Sequence, residues 1–207
     1  MSRRFLTDDA KSAFVAAIEA IELHSSAEVV VSIVPRSASY LHADLIVGAV
    51  FGVATLVFVL FSSVEFSLLS ILIDPIIIAV LIGLAASQLN PVRRALTPKK
   101  ARDAWVDRAA HAAFFEKGVR HTRSRIGILL YVSLGELSAR VIADSGVVEA
   151  VDHDSWLAAI AGIERAVAER RSGVEVAKAL EGLGPLLADA LPVLDDDVDE
   201  LPNVVHT

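Results

Sequence analysis

Apolar and polar residues are segregated along this chain. From Leu45 to Val92 only Glu65 and Asp74 are charged; Leu45–Ser63 has no charge, and Phe66–Leu89 has only Asp74. A bilayer core is crossed by about 20 mainly apolar helical residues. At about −0.5 kcal/mol for each Leu, Ile, Val or Phe, the twelve in the first run favour insertion by roughly 6 kcal/mol. The second run has fourteen, enough to outweigh a penalty of about 3 kcal/mol for Asp74. The pattern predicts a transmembrane helical hairpin over 45–92, with spans at about 45–63 and 66–90 and a tight turn at Val64-Glu65. A chain of 207 residues is too short to bury two such helices in a soluble core.

The second span admits two registers. Either Asp74-Pro75 sits as a kink inside one long helix, or Asp74 caps a helix with Pro75 at its first position. The capping register is the simpler account of a carboxylate with no opposite charge in either span. In it, Ser67–Ile73 forms an apolar lead-in.

On both sides of the hairpin the pattern changes to that of a soluble domain. Thr7 caps a helix with Asp8 and Asp9 in its first turn and Phe14, Ala17, Ile18 and Ile21 on one face. Glu28–Val34 is β-branched, nearly continuous and stopped by Pro35, as in a buried central strand. After the spans, Pro98 opens a helix to about Lys117, followed by a polar turn from Gly118 to Arg125. Gly127–Ser133 is a second buried strand, and Arg140–Ala143 a third, joined by a short turn. Asp154–Arg170 is helical, with Trp156, Ile160, Ile163 and Val167 on one face. Ser172–Glu175 is a capping box opening a helix that presents Val176, Leu180, Leu183 and Leu187, with Gly184-Pro185 as an interruption. Pro192 ends it, and an acidic tail begins at Asp195. Alternation of helix and strand predicts an α/β fold, a sheet covered by helices on both faces. The first two strands would be parallel, joined by a right-handed crossover that contains the hairpin. The expected division is 1–44 and 93–192 for the soluble domain, 45–92 for the hairpin and 193–207 for the tail.

Charge adds direction. All 19 Lys and Arg lie outside the hairpin, and Arg93, Arg94, Lys99, Lys100 and Arg102 follow the second span directly. The positive-inside rule then places both soluble segments in the cytoplasm, giving a two-span protein of the plasma (inner) membrane whose basic cluster faces lipid head groups. Thr7-Asp8-Asp9 occupies the place where a signal peptide needs its apolar run. A net charge of −7 argues against a nucleic-acid partner. Without Cys there is no disulfide, thiolate metal site or Cys nucleophile.

Recognised catalytic motifs are absent: no phosphate loop, dinucleotide fingerprint, nucleophile elbow or His-Glu-x-x-His. Asp144, Asp152 and Asp154 are the ligand-like group, since carboxylates near a strand end suit a hard divalent cation such as calcium. The same residues read equally as turn and helix-cap chemistry. His111 and His121, on and beyond the helix that follows the membrane segment, have the composition of a base but no carboxylate partner read from spacing.

Ile126–Leu134, a turn with Glu136, then Arg140–Val147 resemble the central signature of the TPM domain family. The resemblance covers the first helix and strand and about Ala101 to Pro192, and extends to Asp199–Asn203. It implies a three-layer α/β/α sandwich, and roles including acid phosphatase activity, divalent-metal binding, membrane-protein quality control and modulation of partner membrane proteins. The chain has Ser124-Arg125-Ile126-Gly127 where many members have an Asp-Asn-Gly turn. It has Ala143-Asp144-Ser145-Gly146 where they have Gly-x-Gly. Asp144 and Asp152 are the metal positions that still match by location.

These readings combine into a membrane-anchored, TPM-like cytoplasmic domain that docks onto or regulates another membrane protein without catalysis. The rival is a membrane-tethered, divalent-metal-dependent phosphatase using Asp144, Asp152 and Asp154. A small transporter would need several hairpins to build a pore.

Overall fold

The computed structural model describes residues 5–193, 200–201 and 205–206. They form two compact units: residues up to Ser37 with those from Asp103 onward, and Ala38–Arg102 between them. The second unit contains the whole of the expected 45–92 hairpin.

In the first unit, α1 (Asp8–Glu22) starts at Thr7, whose hydroxyl accepts the Ala10 N–H at 3.2 Å, and it buries Phe14, Ala17, Ile18 and Ile21 as its spacing predicts. Strands β1 (Glu28–Val34), β2 (Gly127–Ser133), β3 (Ser138–Ala143) and β4 (Val205–His206) form one mixed sheet in the order β3-β2-β1-β4. β1 and β2 pair in parallel from Glu28↔Gly127 to Val34↔Ser133; β3 is antiparallel to β2, and β4 parallel to β1. The central pair is buried almost residue for residue, so it reads as a continuous apolar run and not as an alternation.

Alternate residues nevertheless go to different cores. Val29, Val31, Ile33, Ile128, Leu130 and Val132 pack with α1, α7 (His153–Ala168), α8 (Gly173–Glu181) and α9 (Gly184–Ala190). Val30, Leu129 and Tyr131 pack with Val106, Ala110, Ala113 and Phe114 of α5 (Lys99–Glu116) and with Val119. The Ser172–Glu175 capping box forms, and Gly184-Pro185 divides the last helical stretch in two. One short helix, α6 (Ser145–Ala150), stands where a turn is predicted, because Asp144 caps it.

The second unit is the hairpin. Helix α2 (Leu41–Phe61) is followed by α3 (Leu68–Ala86) and the short α4 (Asn90–Leu96). α2 and α3 run antiparallel in one constant register. A Cβ on Gly83 would lie 3.2 Å from the Asp44 carbonyl, one on Gly48 2.5 Å from the Ala79 carbonyl, and one on Gly52 3.1 Å from the Pro75 carbonyl. Backbones meet along this seam because the residues there have little or no side chain, which is how helices associate closely in lipid.

The Asp74-cap register does not occur. α3 runs unbroken through Pro75, and Ser67 is the cap, its Oγ accepting the Ser70 N–H at 3.1 Å. A proline inside an apolar helix is tolerated when neighbouring groups re-satisfy the backbone. Asp74 thus lies inside α3, on an exposed face.

Candidate functional site

Most of the exposed large apolar side chains among the described residues lie on the hairpin. α2 and α3 are both long and apolar enough to cross a membrane, and only 22% and 6% of their most apolar windows are buried. The core helix of a soluble protein would be mostly covered; here Leu45, Val53, Phe58, Leu68, Leu72 and Leu84 all stand exposed.

At its base the hairpin is tied by charge. The Arg93 guanidinium donates to the Asp44 carboxylate through Nε at 2.8 Å and Nη2 at 2.5 Å, with both side chains buried. Arg93 also stacks over the Tyr40 ring at 5.9 Å, and His42 Nε2 lies 3.3 Å from Thr97 Oγ1. Arg93, grouped by sequence with the exposed basic cluster, is therefore an internal clamp. Lys99 and Lys100 are exposed, while Arg94 and Arg102 are half-buried. Beside the seam an apolar groove of about 480 Å³ is lined by Leu45, Gly48, Ala49, Ala79, Val80 and Gly83 among others.

In the first unit, the three predicted metal carboxylates have separate local contacts. Asp144 is buried; its Oδ1 accepts from Arg125 Nε and Nη2 at 2.9 and 2.8 Å and from the Ser145 N–H at 2.7 Å, while Oδ2 is buried without a hydrogen-bond partner among the described residues. Burial pushes the Asp144 carboxyl upward, but the Arg125 and Ser145 hydrogen bonds with the Arg125 charge outweigh it and hold it below the usual carboxylate range. Asp152 is exposed and caps α7 by accepting the Ser155 N–H at 2.9 Å; that bond lowers its pKa. Asp154 is exposed in the first turn of α7, where the helix dipole favours it. Among the described residues no three His, Asp or Glu side chains are grouped to hold a metal ion.

His111 has a partner that spacing could have revealed: Asp107 precedes it by one helical turn, its carboxylate 3.9 Å from Nδ1. Nδ1 also lies 2.9 Å from the Asp107 carbonyl oxygen. His121 ends a 3₁₀ turn, Val119–His121. Neither is placed against a nucleophile or a second base in the contacts seen.

A polar cluster that sequence reasoning missed closes the carboxyl ends of β1 and β2. Ser37 Oγ donates to Ser133 Oγ at 2.8 Å and lies 3.2 Å from the Tyr131 hydroxyl, and Ser133 Oγ donates to the Glu136 carboxylate. The Ser37 N–H reaches the same carboxylate at 3.3 Å. Leu134 and Gly135 donate their N–H groups to the Val34 and Pro35 carbonyls. Burial raises the Tyr131 pKa; the Ser37 bond opposes this, while the Glu136 and Glu116 charges add to it. Open α/β sheets bind ligands beyond the carboxyl ends of their strands, but here the end is sealed by side chains already bonded to each other. The one signal in the sequence was the pair of serines flanking otherwise apolar strands.

The first unit also holds two segments near its edges. Arg140 on β3 reaches Glu164 at 3.2 Å and Asp107 at 3.7 Å. Glu200, assigned by sequence to a solvated acidic tail, accepts the Arg123 N–H at 2.8 Å. The remaining acids, Asp195–Asp199, lie outside the described residues.

No family model matches the sequence, and no curated protein matches it. The fold is similar to the NMR structure of the BA42 protein from the psychrophilic bacterium Bizionia argentinensis, with a TM-score of 0.60 at 20% identity over 100% of this chain and 99% of that chain. At that identity the likeness concerns the fold alone.

Proposed function

We propose that this chain is a two-span protein of the plasma membrane whose soluble unit is a TPM-type, three-layer α/β/α sandwich on the cytoplasmic side, serving as a non-catalytic docking or regulatory module for another membrane protein. The observation that carries it is the hairpin: two helices of spanning length with apolar outer faces and a polar, ion-paired base. The outer faces suit lipid, and the exposed Lys99 and Lys100 beyond the base suit anionic head groups. Helices on both sides of the sheet support the layered reading. The resemblance to the TPM signature supports a role in quality control or partner modulation. Asp144 and Asp152 serving as helix caps favours docking over metal-dependent hydrolysis.

Alkaline carbonate extraction tests the anchor, and cysteine labelling in intact and opened cells tests the sidedness, with labels at Ser37 and Ser155. The protein stays in the pellet and both sites label only in opened cells. In-cell crosslinking then returns one consistent membrane complex. Hydrolysis of p-nitrophenyl phosphate that requires calcium or magnesium and is lost in Asp152→Asn would overturn the docking reading in favour of the phosphatase.

A further inference from the structure

β1 is paired along its whole length with β2 on one side. On the other, among the described residues, β4 covers Val31 and Ser32. That short pairing is accompanied by a set of contacts that reads an extended chain at several points. The buried Glu28 carboxylate accepts two consecutive backbone N–H groups, Glu200 through Oε1 and Leu201 through Oε2, each at 3.1 Å. The Glu200 side chain is met by Arg123, through the N–H at 2.8 Å and Nε at 3.5 Å. Leu201 then packs into the core on the α5 side of the sheet, and Val205 into the core on the opposite side. Leu201 and Val205 therefore supply one apolar anchor on each face of the sheet.

Main-chain hydrogen bonds give such strand addition its affinity, and alternate side-chain pockets give it specificity. A carboxylate that grips two successive N–H groups recognises backbone, so it serves any extended segment of the right pattern. We propose that the outer edge of β1 is a strand-docking site for an extended partner peptide carrying an acidic–apolar pair followed, after three intervening positions, by a β-branched residue. Glu200, Leu201, Val205 and His206 occupy this site as parts of a displaceable internal ligand. Among the described residues the ladder holding them is Val205–His206, and both are half-exposed, so exchange there costs few contacts. This rests on the docking reading and names how a partner would be recognised.

The test uses the full chain in detergent and a fluorescent peptide with the sequence of residues 200–207. A Leu201→Asp, Val205→Asp variant removes both internal anchors. It binds the peptide saturably, at least about tenfold more tightly than the unaltered chain, and adding Glu28→Gln costs about tenfold, as expected for hydrogen bonds to a charged acceptor. A scrambled peptide does not bind. Equal binding of the scrambled peptide, or no binding by a variant whose β1 and β2 amides remain protected, overturns the proposal. In the unaltered chain, excess peptide speeds hydrogen exchange at Val205 and His206; protection there as strong as in β2, unmoved by peptide, overturns it without any variant. Dimers that dissociate on adding peptide would overturn internal occupancy by assigning the segment to a second copy. A failed peptide assay beside a consistent crosslinked complex would leave docking standing and place it on another surface.

Discussion

Asp44 and Arg93 lie 49 residues apart in sequence, yet their carboxylate and guanidinium face each other through two hydrogen bonds, both side chains shielded from water. One belongs to the first turn of α2 and the other to α4, so the pair joins the point where the hairpin begins to the point where it ends.

Breaking this pair from one side leaves a buried charge alone, which costs about 3–5 kcal/mol, whereas replacing both partners by apolar residues is often close to neutral. Asp44→Ala is expected to lower the thermal midpoint of the detergent-solubilised protein sharply. Asp44→Leu with Arg93→Leu recovers most of the loss. A double variant whose loss equals the sum of those of Asp44→Leu and Arg93→Leu would show that the pair is not coupled.

The helix seam predicts a graded series. Gly48→Ala places a Cβ 2.5 Å from a backbone oxygen, Gly52→Ala 2.9 Å from the Ala79 Cβ, and Gly83→Ala 3.2 Å from a backbone oxygen. Overpacking costs about 1–3 kcal/mol where neighbours cannot yield. Thermal midpoints should therefore fall most for Gly48, less for Gly52 and least for Gly83. Limited proteolysis between α2 and α3 reports the same order.

Asp144 carries a pH dependence. Its folded pKa lies below the ordinary value of 3.8, so the unfolded chain binds the proton first as acidity rises. The stabilisation is complete above the ordinary value and is lost as pH falls through the folded one. Asp144→Ala is expected to cost about 2 kcal/mol at neutral pH, from the lost cap and buried hydrogen bonds. It also flattens the acid limb of stability followed by tryptophan fluorescence. Asp144→Asn, which keeps an acceptor for Ser145, loses less.

His206 works in the other direction along the scale. Burial, then the Lys117 charge, push its pKa below 6.5. The docked segment holds the neutral ring, the detached one accepts the proton, and docking weakens as pH falls through and below 6.5. Hydrogen exchange at Val205 and His206 should accelerate from pH 7 to pH 5.5 more than global opening does. His206→Gln removes that difference, and Lys117→Ala reduces it.

The elements with a strong period were legible from sequence. Thr7, Ser172 and the Glu28–Val34 run each carry a local signal, and each stands where that signal puts it. Long-range pairings left no such trace: nothing in Arg93 announces Asp44, and a positive charge after a span reads as a lipid contact whether or not it is buried. Asp74 misled for a related reason, since Asp-Pro is a good helix start and Ser67, seven residues earlier, is a better one in context. Gly48-x-x-x-Gly52 was visible and unread, its spacing being that of a packed seam. Asp144 and Asp152 are close in sequence, and each caps the helix it begins, a local task that the turn and cap chemistry of the sequence also carried.

Because the hairpin lies between two strands that pair side by side, translation order matters. β1 leaves the ribosome before the apolar stretch and β2 only after it, so the central parallel pair of the sheet cannot close until both hairpin helices have been made. Long closures of this kind slow folding and leave an unzipped edge open to aggregation in the interval. A nascent chain stalled within the apolar stretch would carry that open edge to any protease it meets. Synthesis of the hairpin and completion of the sheet are thereby ordered steps in the life of this polypeptide.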